Sequence, residues 1–284
     1  MDLNGANGTE TRTYTTGPGN LSSPFDADST WEIASITKPF TALATLILED
    51  EGVVSRTSTI GELLDCDWAQ ANSDVANVTL IEIIQHMSGF PAQPPDRGPT
   101  IDGNPFGGYT KERLCASLLK LNGLPTRGRY SYSNYAYGTL GYVLTLAVNR
   151  ENPPDYEDII KEKILKPLEM FNTSVSFDPT LAAEACSRGI NRGSITIRLG
   201  AYATLQGNGA LRSTLNDMSK YMLAALYVDA GMPTPIDETL YGGLPPPSEA
   251  LDKFYKAMTI AHSEADSTDL ACSCVSDWCE GLLW

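Results

Sequence analysis

The chain has 284 residues, 42% of them hydrophobic, and is long enough to bury a substantial core as one large domain or as two lobes. Acidic side chains outnumber basic ones by 35 to 20, which argues against nucleic acid or an anionic membrane surface as a partner. No stretch approaches the roughly 18 unbroken apolar residues of a membrane span. The first residues lack the basic and apolar regions of a signal peptide, so we expect no membrane partner and slightly favour a cytoplasmic location.

Residues typical of helix starts and ends, together with apolar periodicity, predict a mainly helical chain with few strands. A short alternating strand over 31–34 directly precedes a helix over 38–50, which Gly52 follows as a left-handed cap. Thr79 and Glu82 form the pattern of a capping box at the start of the next helix. The other predicted elements are strands over 11–15 and 194–198, helices over 79–87, 110–122, 135–149, 155–165 and 214–229, and loops rich in Pro and Gly over 91–108 and 231–248.

Ser35 and Lys38 form a Ser-x-x-Lys motif between the first of these strands and the helix after it. Residues three apart share a helix face, so the Lys38 ammonium can reach the Ser35 hydroxyl. A hydroxyl at a helix start also meets unpaired backbone N–H groups and a dipole that favours developing negative charge. The pattern indicates a nucleophile and its base, although a simple N-cap serine has the same local sequence.

A second Ser-x-x-Lys motif, Ser117 with Lys120, lies inside a predicted helix. Such a motif arises by chance once or twice in a chain of this size. We expect the Ser117 hydroxyl to bond back to its own helix and to have no catalytic role.

Tyr132 and Asn134 stand two residues apart, just before a helix that is apolar nearly all round. An extended loop would aim both side chains the same way. The helix behind them would anchor a loop that presents a phenol and an amide. Taken alone the pair is weak evidence, because most tyrosines in such a run are packing residues.

Only two histidines, His86 and His262, occur in the chain, and there is no Gly-x-Ser-x-Gly elbow. A Ser-His-Asp arrangement therefore has two candidate centres at most. His86 follows the helix that Thr79 opens, and we interpret it as a structural loop histidine. His262 lies in a polar, acidic stretch and is assigned no role.

At these positions the chain resembles the serine β-lactamase and penicillin-binding protein superfamily, in particular its class C β-lactamase-like branch of esterases, transesterases and D-aminopeptidases. Ser-x-x-Lys is itself a signature of neighbouring members of that superfamily. The order and spacing agree over roughly the whole chain. The similar segments are 33–38, 83–91, Tyr132-Ser133-Asn134 followed by Gly138 and Gly141, 166–170, and 209–214.

The resemblance implies an acyl-enzyme mechanism on a small-molecule ester, amide or β-lactam, with no cofactor and no metal. Ser35 would attack the carbonyl, Lys38 and Tyr132 would share general-base and proton-shuttle duties, and Asn134 would orient Lys38 and bind the substrate. A serine hydroxyl needs an adjacent base, and a lysine can serve near neutral pH only if its pKa is lowered. The backbone N–H of Ser35 would stabilise the oxyanion.

The same resemblance implies an α/β (α+β) fold of the β-lactamase/transpeptidase type, an antiparallel sheet flanked by helices plus a mainly helical lobe. Residues 1–65 and 193–284 would form the discontinuous sheet lobe, and residues 66–192 the mainly helical lobe. The sheet would be incomplete, because the segment 277–284 resembles the strand that normally precedes the family's last motif.

That last motif, Lys-Thr-Gly, Lys-Ser-Gly or His-x-Gly, occurs nowhere in the chain. Three explanations stay open. The chain is a truncated version of a longer enzyme, it is a catalytically impaired homologue that acts as a binding module, or it completes its sheet with a partner chain. A serine hydrolase or acyltransferase is the leading hypothesis and the binding module is the alternative.

Six cysteines are divided between a scattered set and a cluster without the spacing of a zinc site. For the cluster we expect free thiols or a late disulfide. Four Asn-x-Ser/Thr sequons leave secretion open as a location. The cysteines are Cys66, Cys115, Cys186, Cys272, Cys274 and Cys279, and the sequons begin at Asn7, Asn20, Asn77 and Asn172.

Overall fold

The computed structural model describes residues 26–68, 73–96, 106, 108–176, 188–191, 194–197, 203–229 and 248–265. The strand predicted over 11–15, the segment 277–284, the first two sequons, most of both predicted loops and every cysteine except Cys66 and Cys115 lie outside these residues. Within this part of the chain, no helix is long and apolar enough to cross a membrane.

Helices make up most of the described chain. In order, the elements are β1 (Trp31–Glu32), a 3₁₀-helix (Ala34–Ile36), α1 (Thr37–Asp50), α2 (Ile60–Leu63), α3 (Ser73–Ala76), α4 (Leu80–Ile84), α5 (Lys111–Leu119), α6 (Asn134–Val148), α7 (Tyr156–Ile160) continued by a π-turn (Lys161–Leu165), β2 (Arg188–Asn191), β3 (Ser194–Ile197), a second 3₁₀-helix (Ala203–Asn208), β4 (Arg212–Ser213), α8 (Leu215–Asp229) and α9 (Glu249–Ala265).

The longer predicted helices are confirmed, with ends that shift by no more than three residues in α1, α5, α6 and α8. Gly52 has φ 71° and its N–H donates to the Glu49 carbonyl, as a left-handed cap requires. The Thr79 capping box is also confirmed, since the Thr79 N–H donates to Glu82 Oε2 at 2.8 Å and the Thr79 hydroxyl accepts from the Glu82 N–H.

Three predicted elements differ from the structure, each for a local reason. The first strand ends at Glu32 instead of residue 34, because Ala34 has φ 46° and turns the chain into the 3₁₀-helix. Helix α4 ends at Ile84 rather than at residue 87, and His86 beyond it has φ 56°. The helix predicted over 155–165 changes from α to π geometry at Lys161.

Two antiparallel pairs of strands are described. Trp31 pairs with Ser213 and Glu32 with Arg212, so β1 and β4 join chain segments about 180 residues apart. The other pair is the hairpin of β2 and β3, whose second strand confirms the prediction over 194–198. The division into two lobes stays a prediction.

The core surrounds α1, whose side chains from Phe40 to Leu48 are all buried. Helix α6 contacts α1 and the second 3₁₀-helix, and α9 also packs on α1. Gly141 and Gly207 allow the α6 contact, because a Cβ on Gly141 would lie 2.8 Å from the Gly207 Cα. The close approach brings the end of that 3₁₀-helix, Asn208, to the first turn of α1.

Cys66 and Cys115 form a disulfide that joins the segment after α2 to α5. The sequence analysis left the redox state of these two scattered cysteines open. The pairing depends on the fold, which brings together two half-buried cysteines 49 residues apart in sequence.

Candidate active site

Ser35 occupies the middle of the 3₁₀-helix that connects β1 to α1 and is exposed to solvent. The preceding residue, Ala34, lies in the left-handed region, which non-glycine residues occupy at a cost. Ile33 donates its N–H to the Leu211 carbonyl at 3.1 Å, so the turn is fastened to the segment before β4. The nucleophile candidate is thus presented on a tight, anchored turn.

Lys38 lies one turn further on, in α1, and is only 4% exposed. Its Nζ donates to Ser35 Oγ at 3.0 Å, to Asn134 Oδ1 at 2.8 Å and to the Asn208 carbonyl at 2.6 Å. Burial lowers the pKa of Lys38 from 10.5 to about 7. The amine therefore exchanges its proton near neutral pH, directly beneath an exposed hydroxyl.

Tyr132 closes the other side of Ser35. Its hydroxyl lies 2.6 Å from Ser35 Oγ, and Lys38 Nζ lies 4.8 Å from the centre of its ring. Burial raises the pKa of Tyr132, and the hydrogen bond to Ser35 offsets this only in part. The phenol therefore keeps its proton at neutral pH.

The four site residues predicted from the sequence, Ser35, Lys38, Tyr132 and Asn134, are brought together in one hydrogen-bonded group. Asn134 is the first residue of α6, and Ser133 before it caps that helix by accepting the Ala136 N–H at 2.9 Å. The helix end thereby holds the Asn134 amide towards Lys38. The catalytic and substrate-binding roles of these residues stay predictions.

Sequence reasoning missed Asn208, whose backbone carbonyl makes the shortest contact with Lys38. The Asn208 side chain donates to the Leu205 carbonyl at 2.8 Å, and Thr41 of α1 donates to the Gly207 carbonyl at 2.8 Å. The first bond lies within the 3₁₀-helix and holds its end in shape, and the second fixes the 3₁₀-helix against α1. One sequence feature could have pointed to Asn208. The next segment, 209–214, resembles the family but was assigned no role in the sequence analysis.

Other candidate residues lie elsewhere or lack the expected contacts. Ser117 is buried in α5, but its hydroxyl makes no hydrogen bond to its own helix, so that expectation was wrong. His86 is near Tyr132 and is treated below, and His262 lies on α9. Among the described residues, no group of three or more His, Cys, Asp or Glu side chains could hold a metal ion.

Two solved structures resemble this fold. A class C beta-lactamase from Rhodobacter sphaeroides matches with a TM-score of 0.63 at 20% identity, over 83% of this chain and 60% of that one. A beta-lactamase/D-alanine carboxypeptidase from Yersinia pestis, complexed with citrate, matches with a TM-score of 0.62 at 26% identity, over 83% and 61% of the two chains. The fold is therefore of the β-lactamase/transpeptidase type, as predicted, with mostly helices and small antiparallel sheets.

A family model described as beta-lactamase matches residues 10–254. The chain belongs to the beta-lactamase family. One relative, beta-lactamase-like protein 2 of Dictyostelium discoideum, is 32% identical over 213 residues, which are 71% of this chain and 37% of that protein. The chain thus spans well under half of this relative and about 60% of the two solved structures.

Proposed function

We propose that this chain is a serine hydrolase that forms an acyl-enzyme on Ser35. The observation that carries the proposal is the set of partners around Lys38 Nζ. Two of them, Asn134 Oδ1 and the Asn208 carbonyl, can only accept hydrogen bonds. A neutral amine has two N–H donors and one lone pair, so those carbonyls would take both donors and leave the lone pair aimed at the Ser35 hydroxyl.

The proton would then move along the contacts already present. Lys38 takes the proton of Ser35 as Oγ forms its bond to the substrate carbonyl carbon. Tyr132, still protonated and 2.6 Å from Ser35 Oγ, donates to the leaving oxygen or nitrogen as the ester or amide bond breaks. In deacylation Tyr132 takes a proton from the water that attacks the acyl carbon. Lys38 returns its proton to Ser35 Oγ as the carboxylic acid leaves, so both groups regain their starting protonation. The Ser35 N–H, in the short 3₁₀-helix that leads into α1, would stabilise the oxyanion.

An ester or amide with an apolar group suits the surroundings of the nucleophile best. Ile36 follows Ser35 and is 49% exposed, and Tyr130 precedes Tyr132 by two residues and is 47% exposed. Exposed apolar side chains beside a reacting group favour an apolar acyl chain or leaving group. The Yersinia protein is named for β-lactam and D-alanine substrates, and a β-lactam is included in the test below beside the ester.

The test is covalent labelling followed by intact-protein mass spectrometry. We expect p-nitrophenyl butyrate or a fluorescent penicillin to add one acyl group to the wild-type chain and none to Ser35→Ala. Ser117→Ala is the matched control, because it removes the serine of the other Ser-x-x-Lys motif and should keep the adduct. An adduct that persists in Ser35→Ala would contradict the proposal.

The alternative is a binding module on the same scaffold, which the missing Lys-Thr-Gly or His-x-Gly motif favours. This alternative predicts that the wild-type chain binds the penicillin without forming a covalent bond, and that Ser35→Ala changes the affinity little. The same labelling experiment, with a binding titration beside it, separates the two functions. A partner chain that completes the sheet stays a prediction.

A further inference from the structure

His86 contacts both sides of the short segment that carries Tyr132. Its backbone carbonyl accepts the Ser131 N–H at 2.7 Å, and its Nδ1 accepts the Ser133 N–H at 3.1 Å. The two bonds fall on the residues immediately before and after Tyr132. One residue therefore fixes the backbone on either side of the phenol.

The ring of His86 lies between two tyrosines. Its centre is 4.6 Å from that of Tyr132 and 4.8 Å from that of Tyr137, with both pairs tilted. Tyr137 is buried in α6, and its hydroxyl donates to the Ile84 carbonyl at 2.8 Å. The imidazole thus fills the space between the Tyr132 ring and a fixed wall of the core.

Accepting a backbone N–H at Nδ1 requires a neutral ring with its proton on Nε2. Burial, together with the charge of Lys38, lowers the pKa of His86 to about 3. The ring therefore stays neutral and keeps its acceptor across the working range. It makes no described hydrogen bond to Ser35 or Lys38, so nothing in the structure gives it a part in proton transfer.

We propose that His86 is the positioning residue that holds the Tyr132 hydroxyl against Ser35. The inference rests on the proposed acyl-enzyme function and deepens it. Ser133 and Asn134 have further bonds to the segment after His86, since the Ser133 hydroxyl donates to the Pro91 carbonyl at 2.7 Å and the Asn134 N–H donates to the Ala92 carbonyl at 3.0 Å. Those bonds hold Asn134, whereas His86 contacts the Tyr132 ring and accepts hydrogen bonds from the N–H groups on both sides of Tyr132.

His86→Asn and His86→Gln form a matched pair that tests this role. The Asn carbonyl oxygen can take the place of Nδ1, and Asn tolerates the left-handed backbone of this position, where φ is 56°. The Gln oxygen reaches one bond further and misses the Ser133 N–H. We expect the acylation rate of His86→Gln to fall about tenfold through the lost buried bond, and that of His86→Asn to stay within about threefold of wild type.

A double-mutant cycle with Tyr132→Phe separates positioning from a general structural effect. If His86 acts through Tyr132, His86→Gln lowers the rate in the wild-type background and changes it little once Tyr132 is Phe. Rates are measured with p-nitrophenyl acetate and divided by the concentration of sites counted from the burst. Thr59→Ala, which removes the N-cap of α2, is the control, and its effect should be the same in both backgrounds.

Equal losses from His86→Gln in both backgrounds, or no loss in either, would overturn the inference. A wild-type chain that forms no adduct contradicts the proposed function instead. In that case the structure of His86→Gln decides the matter, because the inference requires the Tyr132 hydroxyl to move away from Ser35 Oγ.

Discussion

Lys38 shows how much a single buried residue depends on its neighbours. The side chain is almost fully buried, and its Nζ donates hydrogen bonds to groups from three separate segments and lies over the Tyr132 ring. Burial penalises the ammonium and lowers its pKa to about 7, which makes the amine available as a base in neutral solution. An exposed lysine at the same spacing from a serine would stay protonated and inactive.

The acylation rate should therefore depend on the protonation of Lys38. The neutral amine is the active form, so the rate is lost as the pH falls below about 7 and decreases about tenfold per pH unit there. The raised pKa of Tyr132 puts any alkaline loss above about pH 10. The measurement is kcat/KM for p-nitrophenyl acetate from about pH 5 to about pH 9.

A titrating histidine is the alternative cause of a rate that falls as the pH drops below neutral. His86→Asn provides the control. When His86 is replaced, the pH at which kcat/KM is half of its maximum should stay near 7, whatever the maximal value is. If the loss of rate at low pH is absent from His86→Asn, or if the wild-type rate does not depend on pH over this range, Lys38 is excluded as the base.

At the scale of elements, the contact between α6 and the second 3₁₀-helix sets the position of the Asn208 carbonyl. Gly138 and Gly141 on α6 face Leu205 and Gly207 on the 3₁₀-helix. A Cβ on Gly141 would lie 2.8 Å from the Gly207 Cα and 2.9 Å from its nitrogen. These are backbone atoms, so the 3₁₀-helix would have to move to accommodate a side chain.

Gly141→Ala should therefore lower stability and activity together. Overpacking typically costs about 1 to 3 kcal/mol, against a gain of about 1 kcal/mol in helix propensity. The displaced Asn208 carbonyl would also lose its contact with Lys38. We expect a lower midpoint in urea unfolding and an acylation rate about tenfold lower in the folded protein.

Val148→Ala on the same helix is the control, since Val148 is exposed at the far end of α6. It should leave the acylation rate at the wild-type value. A Gly141→Ala protein with unchanged stability and rate would show that the glycine contact does not position the carbonyl.

Helix α9 shows a signal that sequence analysis overlooked. Its buried side chains, Leu251, Phe254, Tyr255, Met258 and Ala261, recur at helical spacing. The predicted loop over 231–248 ends just before this helix, and no element was predicted over 249–265. Helix α9 packs on α1, so its apolar stripe contributes to the core around that helix.

At the scale of the whole molecule, the Cys66–Cys115 disulfide closes a loop across the helical part of the chain. Its sequence separation of 49 corresponds to about 4 kcal/mol in the chain-entropy model. Cys66→Ser with Cys115→Ser should lower the free energy of unfolding by about 2 to 4 kcal/mol. The disulfide lies away from Ser35, so the folded variant should still form the acyl-enzyme.

Urea unfolding with and without dithiothreitol measures this contribution. The reductant should destabilise the wild-type chain and have no further effect on the double serine variant, which controls for the other cysteines. Equal sensitivity of the two proteins to the reductant would mean that this disulfide is not the stabilising one.

The disulfide also bears on the location of the protein. Such bonds form and persist in oxidising compartments and are rare in the cytosol. Asn77 and Asn172, the two sequon residues in the described part of the chain, are both exposed. We propose an oxidising compartment in place of the cytoplasm favoured from the sequence, and mass spectrometry of the protein from its native cells, alkylated before reduction, tests whether Cys66 and Cys115 are linked.

The sequence by itself determined what local physics controls. The ends of α1, the Thr79 capping box, the Gly52 cap and the placing of Ser35 one turn from Lys38 follow from contacts within a few residues. The resemblance of short motifs added Tyr132 and Asn134. The family and the fold type predicted from these motifs were confirmed by the comparisons with known proteins.

Only the tertiary structure decided which distant groups meet. Asn208 lies 170 residues from Lys38 in sequence, and His86 meets Tyr132 across a turn that helical periodicity does not describe. The pairing of Cys66 with Cys115 likewise joins residues that are distant in sequence. Hydrophobic patterns report which face of an element is buried, whereas the partners across that face depend on close packing between elements, as at Gly141 and Gly207.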